Sequence, residues 1–418
     1  MKFIHCADIH LDSPLKGLER HEGAPVEEIR NASRQAFATL VSLCLEERAD
    51  FVLIAGDLFD GAWRDFNTAL WFVKQANRLR DANIPLFLAR GNHDAQSRFI
   101  RHVPLPANVT EFPSTKPATV TLEPLRVAIH GHSFAKPAET ANLAARYPAP
   151  VAGYYNIGLL HTALDGRPGH ASYAPCRKED LLNKGYDYWA LGHVHQWEIV
   201  HPGRPWILFP GMPQGRHVRE TGAKGCALVT VDDSGGTTVA FRAVDSLRWV
   251  VTQVDLAGCV RIEGAMERIR ERLAIEVAGA DGRIVAVRLL LEGADPLRDD
   301  MARRGGEWLD AVRAQALELP GGLVWVERVS FPRSPLPADG PTGIDPTGLE
   351  AICRELDDDP EALAGLGSEV WDDLRAFLPS AVSEGEDGLR FDDPAWRLDA
   401  LRQARELALR RLRGGGEG

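Results

Sequence analysis

The stretch Lys2-Phe3-Ile4-His5-Cys6-Ala7-Asp8-Ile9-His10 is a short apolar run that ends in an aspartate and a histidine. The pattern recurs along the first half of the chain, where further apolar runs end in Asp, Asn or His. The runs cover Lys2–Ala7, Phe51–Ala55, Pro85–Ala89, Leu125–Ile129, Asn156–Leu160 and Tyr186–Leu191. Short apolar runs bounded in this way are typical of buried strands.

Segments with helical periodicity, 27–48 and 65–81, separate the first three predicted strands. This alternation of strands and helices predicts an α/β layered domain, which we assign to residues 1–245. Ligands of open α/β sheets gather beyond the carboxyl ends of the strands. Because all six predicted strands have polar ends, we expect these ends to share one site.

Charge and histidine are unevenly distributed over the 418 residues. The formal net charge is −11, which taken alone argues against a nucleic-acid partner. Residues 1–245, however, contain 26 basic and 26 acidic side chains, whereas 339–399 contain 4 basic and 17 acidic ones. The acidic excess therefore lies in one segment and does not exclude a nucleic-acid partner for the rest of the chain. All 13 histidines lie between His5 and His217, so histidine chemistry belongs to the first half.

Compartment and redox state can be inferred from features that the chain lacks. The N-terminus has no apolar signal core, and no apolar run approaches the roughly 20 residues that span a bilayer. We therefore expect a cytoplasmic protein with no membrane association. The six cysteines show no paired or regular spacing, which predicts reduced, isolated thiols.

A different pattern begins after Asp245 and predicts a small α+β unit, which we assign to 246–333. Its expected elements are strand 249–256, helix 261–278, strand 284–291, helix 299–317 and strand 323–331. A stretch rich in Pro and Gly predicts a linker at 334–346. Helical segments follow over 347–418, and the last of them opens with the cap and first-turn pair Asp393-Pro394.

Five short motifs contain the side chains that suit chemistry. They are Asp8-Ile9-His10, Gly56-Asp57-Leu58-Phe59-Asp60, Gly91-Asn92-His93-Asp94, His161 and Gly192-His193-Val194-His195. Together they offer carboxylate, imidazole and amide ligands, a mixed set that suits Mn²⁺, Fe²⁺ or Zn²⁺. Residues two apart in an extended segment face the same way, so each pair in the first and last motifs can enter one pocket. The glycines in three motifs would let backbone come close to a ligand.

In this order, over residues 8–195, the five motifs resemble the calcineurin-like metallophosphoesterase superfamily. With its α+β appendage and helical tail, the chain looks like the SbcD-type DNA repair exonucleases and, among them, the YhaO-like branch. Serine/threonine phosphatases share the site but have Arg-Gly after the second Asp of the GDxxD motif and Glu after GNH, where this chain has Gly61 and Asp94. The resemblance implies a four-layer α/β sandwich, with two β-sheets flanked by helices, a small α+β capping domain that contacts DNA and a helical C-terminal tail.

The resemblance also implies a pair of divalent metal ions, with Mn²⁺ as the first expectation and Fe²⁺ or Zn²⁺ as alternatives. The ligands of one ion would be Asp8, His10 and His195. Those of the other would be Asn92, His161 and His193, with Asp57 bridging the two ions. His93 would act as the general acid for the leaving 3'-oxygen, a task that suits a side chain titrating near neutrality, and Asp60 would orient it.

The function implied by the resemblance is hydrolysis of DNA phosphodiester bonds in repair, as a 3'-to-5' exonuclease with endonuclease activity on single strands. Two alternatives stay open: a phosphatase or nucleotide phosphodiesterase of the same superfamily, and a scaffold subunit of an ATPase–nuclease complex. The implied partners are DNA, at the nucleoid, and a coiled-coil ATPase subunit similar to SbcC or YhaN, which would bind the tail. The helices at 27–48 and 65–81 would either form a homodimer interface or pack on their own sheet.

Overall fold

Two six-stranded sheets dominate the first half of the protein in the computed structural model. The residues that the structure describes are 1–13, 26–60, 66–96, 105–165, 173–293, 297, 304–319, 324–330, 393, 395–397, 399, 400 and 403. The chain divides into two units, Met1–Arg333 and Ser334–Gly418.

The first sheet contains four parallel strands next to an antiparallel pair. Its strands are β1 (Lys2–Cys6), β2 (Phe51–Ala55), β3 (Leu86–Ala89), β4 (Val109–Glu111), β11 (Gly225–Val231) and β12 (Thr237–Ala243). Their spatial order is β12-β11-β1-β2-β3-β4. The strands β1 to β4 run parallel, β11 is antiparallel to β1, and β12 is antiparallel to β11. The carboxyl ends of four strands therefore lie at one edge.

The second sheet repeats this plan. Its strands are β5 (Ala118–Leu122), β6 (Val127–Gly131), β7 (Tyr155–His161), β8 (Tyr188–Gly192), β9 (Trp197–His201) and β10 (Trp206–Pro210). Their spatial order is β5-β6-β7-β8-β10-β9. The four central strands are parallel, and the two edge strands are antiparallel to their neighbours.

Alternation along each strand builds the layers of this sandwich. In β1, Phe3 faces the second sheet, stacks on Phe51 at 4.8 Å between ring centroids and meets Tyr188 edge-on at 5.2 Å. The next residue, Ile4, faces the helices α1 (Val26–Glu46) and α2 (Phe66–Asp81) on the outer side of the first sheet. The outer side of the second sheet is covered by loops and by the short helix α4 (Lys178–Leu182), whereas α3 (Asn92–Gln96) follows β3 directly.

A third sheet belongs to the same unit. It comprises the parallel strands β13 (Leu247–Asp255), β14 (Ile284–Glu292) and β15 (Val324–Ser330), joined through α5 (Ile262–Ala278) and α6 (Gly305–Leu317). Both helices pack on one face of this sheet. On its other face Trp249 and Trp325 form a small buried cluster with Ala32 of α1 and Val218. The third sheet therefore contacts the sandwich through α1 and the segment that contains Val218.

The predicted fold class is confirmed: two sheets face each other, helices flank them, and a small α+β unit follows. The expected strands and helices of both parts occur close to their predicted bounds, except that the helix predicted at 299–317 is described from Gly305 and its predicted start lies outside the described residues. The sequence analysis missed the strands β4, β5 and β9 to β12, several of which are half-exposed and lack a continuous apolar run. The domain bounds at 245 and 333 stay predictions.

The tail and the cysteines were predicted in part. The linker at 334–346 and the first helical segments of the tail lie outside the described residues. Asp393 caps the last segment: its Oδ1 accepts hydrogen bonds from the backbone N–H groups of Ala395, at 2.9 Å, and Trp396, at 3.3 Å. The five cysteines within the described residues are free thiols. None of the helices that the structure describes has the length and hydropathy of a membrane-spanning segment.

Candidate metal centre

Five strand ends from the two sheets meet at one place in the sandwich. Asp8 and His10 follow β1, Asp57 follows β2, Asn92 follows β3, His161 ends β7, and His193 and His195 follow β8. One hydrogen bond ties the sheets together here, since Nδ1 of His161 lies 2.9 Å from the carbonyl oxygen of Ala55 at the end of β2. This bond leaves Nε2 of His161 directed at the other candidate ligands.

The candidate donor atoms are close enough to share cations. In two groups of residues, all the donor atoms lie within 4.8 Å of one another. The first group is Asp8, His10 and His195, and the second is Asp8, Asp57 and His161. Oδ2 of Asp57 lies 3.9 Å from Nε2 of His10 and 3.6 Å from Nε2 of His161. Two donors about 2.0–2.2 Å from one ion lie roughly 3–4.4 Å apart, depending on the angle at the ion, so these separations fit metal ligation. Asp57 belongs with both sides of the cluster, as its predicted bridging role requires.

Unpaired buried atoms provide an independent test of the metal hypothesis. Oδ1 of Asp8 and both ring nitrogens of His10 are buried and have no hydrogen-bond partner among the described residues. Leaving such groups unpaired costs about 1–3 kcal/mol each, more for charged groups, so a native protein does not accumulate them without a ligand. The residues present therefore fit a divalent metal.

The two remaining expected ligands, Asn92 and His193, differ in how close they lie to the other donors. Oδ1 of Asn92 lies 3.0 Å from Nε2 of His161, which suits two ligands of one ion. His193 is outside the groups of converging donor atoms, and its ring centroid lies 5.2 Å from that of His161. Its backbone N–H instead donates to Oδ2 of Asp8 over 2.9 Å. Ligation by His193 stays a prediction.

Backbone geometry at the strand ends is unusual. Four candidate ligands, Asp8, His10, Asp57 and His193, have φ angles of 52°, 45°, 52° and 109°. L-residues rarely adopt these values, and such strain clusters at functional sites. Gly91 has a different reason to be glycine, since a Cβ there would lie 2.3 Å from Oδ1 of Asp57. The sequence prediction of close backbone approach is correct at this position.

Burial and mutual repulsion set the protonation of the ligands. Burial and then the charge of Asp57 raise the pKa of Asp8, and burial raises the pKa of Asp57. Burial lowers the pKa of His161 to about 3 and also lowers that of His10. Neutral imidazoles beside buried carboxylates are the state that metal binding needs, and a cation would offset the cost of the carboxylate charges.

The predicted acid and its orienting group form a hydrogen-bonded pair. Nδ1 of His93 lies 2.8 Å from Oδ1 of Asp60. The His93 ring is 4.7 Å from the ring of His10, and its backbone N–H donates to Oδ1 of Asp57 over 2.9 Å. About a third of the His93 side chain is exposed. His93 therefore lies at the edge of the cluster, where solvent and a substrate can reach it.

Glu220 escaped the sequence analysis, which quoted Asp94 within a motif but gave it no role. Oε1 of Glu220 lies 2.7 Å from Nδ1 of His195, so this carboxylate orients a candidate ligand. Asp94 accepts backbone N–H bonds from Leu58 and Phe59 at 3.3 and 3.0 Å, which ties the loop after β3 to the loop after β2. Glu220 lies outside the five motifs, and only its distance of three to four residues from Arg216 and His217 could have drawn attention to it.

The prediction that all six polar strand ends share the site is wrong for β6. His130 hydrogen-bonds with Asn156 at 3.0 Å and stacks on Tyr186, and His132 lies 3.3 Å from the carbonyl oxygen of Ser114. The loop after β6 instead contributes Phe134 to the site, where its ring packs edge-on against His161 at 5.5 Å. Polar identity alone does not show which side chains of a strand end turn inward.

This fold and this cluster define a phosphoesterase with a metal centre, and comparison with known proteins agrees. Residues 1–197 match the calcineurin-like phosphoesterase family, and residues 249–332 match the middle domain of the metallophosphoesterase YhaO. The chain belongs to the calcineurin-like phosphoesterases. It is therefore a hydrolase of phosphoester bonds from a family that uses a pair of divalent metal ions.

The individual relatives are of two kinds. The chain is 33% identical over 323 residues to the uncharacterized metallophosphoesterase YhaO of Bacillus subtilis, an alignment that covers 76% of this chain and 78% of YhaO. It is 27% identical over 316 residues to the DNA double-strand break repair protein Mre11 of Methanopyrus kandleri, covering 67% of this chain and 65% of that protein. The Mre11 protein of Aeropyrum pernix is 28% identical over 256 residues, with coverage of 57% and 59%.

Proposed function

We propose that this protein is a metal-dependent DNA nuclease that acts in DNA repair, as a 3'-to-5' exonuclease with endonuclease activity on single strands. The observation that carries the proposal is the cluster of Asp8, His10, Asp57, His161 and His195 around a space suited to metal ions. Relatives named as DNA double-strand break repair proteins support DNA as the substrate. Mn²⁺ is the metal we propose first because of the family resemblance, since the mixed nitrogen and oxygen donor set suits Fe²⁺ and Zn²⁺ as well.

Within this proposal, each side chain has a distinct task. One ion would be held by Asp8, His10 and His195. The other ion would be held by Asn92, His161 and His193, and Asp57 would bind both ions. A bound metal pair supplies Lewis acidity toward the phosphoryl oxygens and lowers the pKa of a nearby water. His93 donates a proton to the leaving 3'-oxygen through Nε2, because Nδ1 is engaged by Asp60.

End-labelled DNA tests the proposal directly. Single- and double-stranded substrates labelled at either end would be incubated with the full chain and Mn²⁺, Mg²⁺ or a chelator. We expect Mn²⁺-dependent shortening from the 3' end and no cleavage in chelator. A metal-loaded protein that leaves DNA intact but hydrolyses small phosphoesters would overturn the DNA assignment in favour of a phosphatase or nucleotide phosphodiesterase.

The scaffold alternative has its own test. We expect a His93→Ala variant to bind metal and to fail to complement a strain that lacks the protein. Full complementation by this variant would show that the biological task of the protein is to hold DNA or an ATPase rather than to cleave DNA.

We further propose partners for the chain beyond DNA at the nucleoid. A coiled-coil ATPase subunit would bind the tail, and a variant ending at residue 333 should then lose co-purification with that ATPase.

A homodimer is the other proposed assembly. Phe66 and Leu70 of α2 are 45% and 49% exposed, so Phe66→Glu should reduce the mass measured by light scattering to that of a monomer if α2 forms the dimer interface.

A further inference from the structure

The segment between β10 and β11 places an arginine beside the metal centre. Nη2 of Arg216 lies 3.5 Å from Oε1 of Glu220, the carboxylate that orients His195. The Arg216 side chain is 18% exposed, so part of it reaches the surface next to the candidate ligands. None of the proposed catalytic tasks involves this guanidinium.

Most N–H donors of the Arg216 side chain have no acceptor in the part of the chain that the structure describes. Oε1 of Glu220 accepts a short hydrogen bond from Nδ1 of His195, because a histidine that ligates metal through Nε2 has its proton on Nδ1. The 3.4 Å contact between Nη2 of Arg216 and Nδ1 of His195 therefore sets two donors against each other and is not a hydrogen bond. Nε of Arg216 is buried and has no acceptor among the described residues. Among the residues that the structure describes, the five donors of this guanidinium thus have one acceptor, a carboxylate oxygen 3.5 Å away.

The charge of Arg216 reaches the centre itself. Burial raises the pKa of Asp57, and the positive charges that oppose this rise include Arg216. Burial also lowers the pKa of His10, and the charge of Arg216 is the next cause in size. Glu220, whose pKa is lowered, is the carboxylate nearest to Arg216, and it is also within 3.7 Å of His217. If a pair of divalent ions is bound here, this fixed cation would add positive charge next to them, which suits an anionic substrate.

The backbone holds Arg216 in place. Its N–H donates to Oε2 of Glu220 over 2.6 Å. The carbonyl oxygen of the preceding residue, Gly215, accepts from Nε1 of Trp249 at 3.1 Å, and Gln214 donates to the carbonyl oxygen of Leu247 over 2.7 Å. The segment is therefore anchored at the start of β13, and little reorganisation is needed when a ligand binds.

We propose that Arg216 is a catalytic residue that binds a non-bridging oxygen of the substrate phosphate. The proposal rests on the phosphodiester hydrolysis proposed above, but it applies to any phosphoester at this centre. The planar guanidinium binds phosphate oxygens through paired N–H donors, which a lysine ammonium does not reproduce. As negative charge grows on these oxygens in the transition state, the interaction strengthens.

Arg216→Gln and the matched control Arg219→Gln test this role. Arg219 lies in the same segment and its side chain is exposed. For each full-length variant, calorimetry would measure the Kd of Mn²⁺ and the Kd of inorganic phosphate for the Mn²⁺-loaded protein, and kcat/KM would be measured with bis(4-nitrophenyl) phosphate. For Arg216→Gln we expect wild-type Mn²⁺ affinity, phosphate binding weaker by about tenfold or more, and kcat/KM lower by about 10²-fold. The control should match the wild type in all three measurements.

Two further variants separate binding of phosphate from support of His195. Glu220→Gln should weaken Mn²⁺ binding by about 10–100-fold, because His195 loses its orienting carboxylate. Arg216→Lys should remain well below the wild type in phosphate affinity. Unchanged phosphate affinity in Arg216→Gln, or loss of Mn²⁺ binding equal to that of Glu220→Gln, would overturn the proposal. If the wild type hydrolyses the small diester but not DNA, the nuclease proposal fails while this test still applies.

Discussion

His93 and Asp60 form a pair in which Nδ1 of the imidazole lies 2.8 Å from Oδ1 of the carboxylate. The hydroxyl of Ser13 donates to the other oxygen, Oδ2, also over 2.8 Å, so the carboxylate is held from both sides. Burial alone would lower the pKa of His93, but the hydrogen bond to Asp60 raises it above its usual value. The pKa of Asp60 is lowered to about 2 despite burial. The pair therefore keeps a proton on His93 at higher pH than an exposed histidine would.

The first prediction concerns the substrate dependence of His93. DNA releases an alkoxide, which needs a proton, whereas bis(4-nitrophenyl) phosphate releases a stable phenolate that needs little protonation. We expect His93→Ala to reduce kcat on DNA by about 10²–10⁴-fold and to reduce hydrolysis of the nitrophenyl diester much less. Equal losses on the two substrates, measured at saturating Mn²⁺, would contradict a general-acid role.

The second prediction concerns Asp60. In Asp60→Asn the carboxylate that raises the pKa of His93 is lost, so the acid deprotonates at lower pH. The alkaline limb of the kcat profile on DNA should move to lower pH, and kcat at neutral pH should fall by about tenfold or more. A Ser13→Ala variant keeps the carboxylate that pairs with His93, so its alkaline limb should not move to lower pH. A profile of Asp60→Asn superimposable on the wild type would count against this role.

A third prediction concerns the metal and folding stability. Because the unpaired atoms of Asp8 and His10 are buried in the folded state, Mn²⁺ should bind the folded chain and raise its Tm. Mn²⁺ at a hundred times its Kd should add about 2.7 kcal/mol to the free energy of unfolding. Calorimetric scans of chelator-treated protein with and without Mn²⁺ would measure this. An Asp8→Asn variant should show a clearly smaller rise, and an equal rise in both proteins would place the binding elsewhere.

The fourth prediction tests the close approach at Gly91. A Cβ there would lie 2.3 Å from Oδ1 and 2.9 Å from the backbone nitrogen of Asp57. We expect Gly91→Ala to displace Asp57, weaken Mn²⁺ binding by at least about tenfold and lower the free energy of unfolding by about 1–3 kcal/mol. A Cβ added at Gly306 would meet no atom within 4 Å, so Gly306→Ala is the control. It should leave Mn²⁺ affinity unchanged and should not lower the free energy of unfolding, because alanine is favoured over glycine in a helix. Denaturant titration and calorimetry would check both.

Much of the fold could be predicted because burial leaves a local trace. Strands β1, β2 and β3 are buried along almost their whole length, and such strands appear in the sequence as continuous apolar runs. Edge strands such as β5 alternate between half-buried and exposed residues and contain threonines, so they have no comparable run. The strands that carry ligands were therefore predicted, and the edge strands β4, β5, β9 and β12 were missed. The strands β10 and β11 were also missed although they are buried, so burial alone does not account for the outcome.

The candidate site was predictable for a related reason, but not completely. Its expected ligands come directly after buried strands, and parallel strands bring their carboxyl ends to one edge. Glu220 and Arg216 follow no such rule, because their segment reaches the site by contacts with Trp249 and Leu247 of β13. The strand end that contains His130 was expected near the site, but the hydrogen bond of His130 with Asn156 directs this side chain elsewhere.

The amino-acid sequence by itself determined the α/β class and the order of the strands that carry the motifs, because hydrophobic periodicity is a local property. Its strand-end motifs offered the donors that the family resemblance assigned as ligands. Tertiary structure alone decided which donors converge on Asp57, that His130 is directed away from the site, and that Arg216 lies beside His195. These are contacts between residues far apart in the chain, and their distances depend on how two separate sheets and the third sheet pack together.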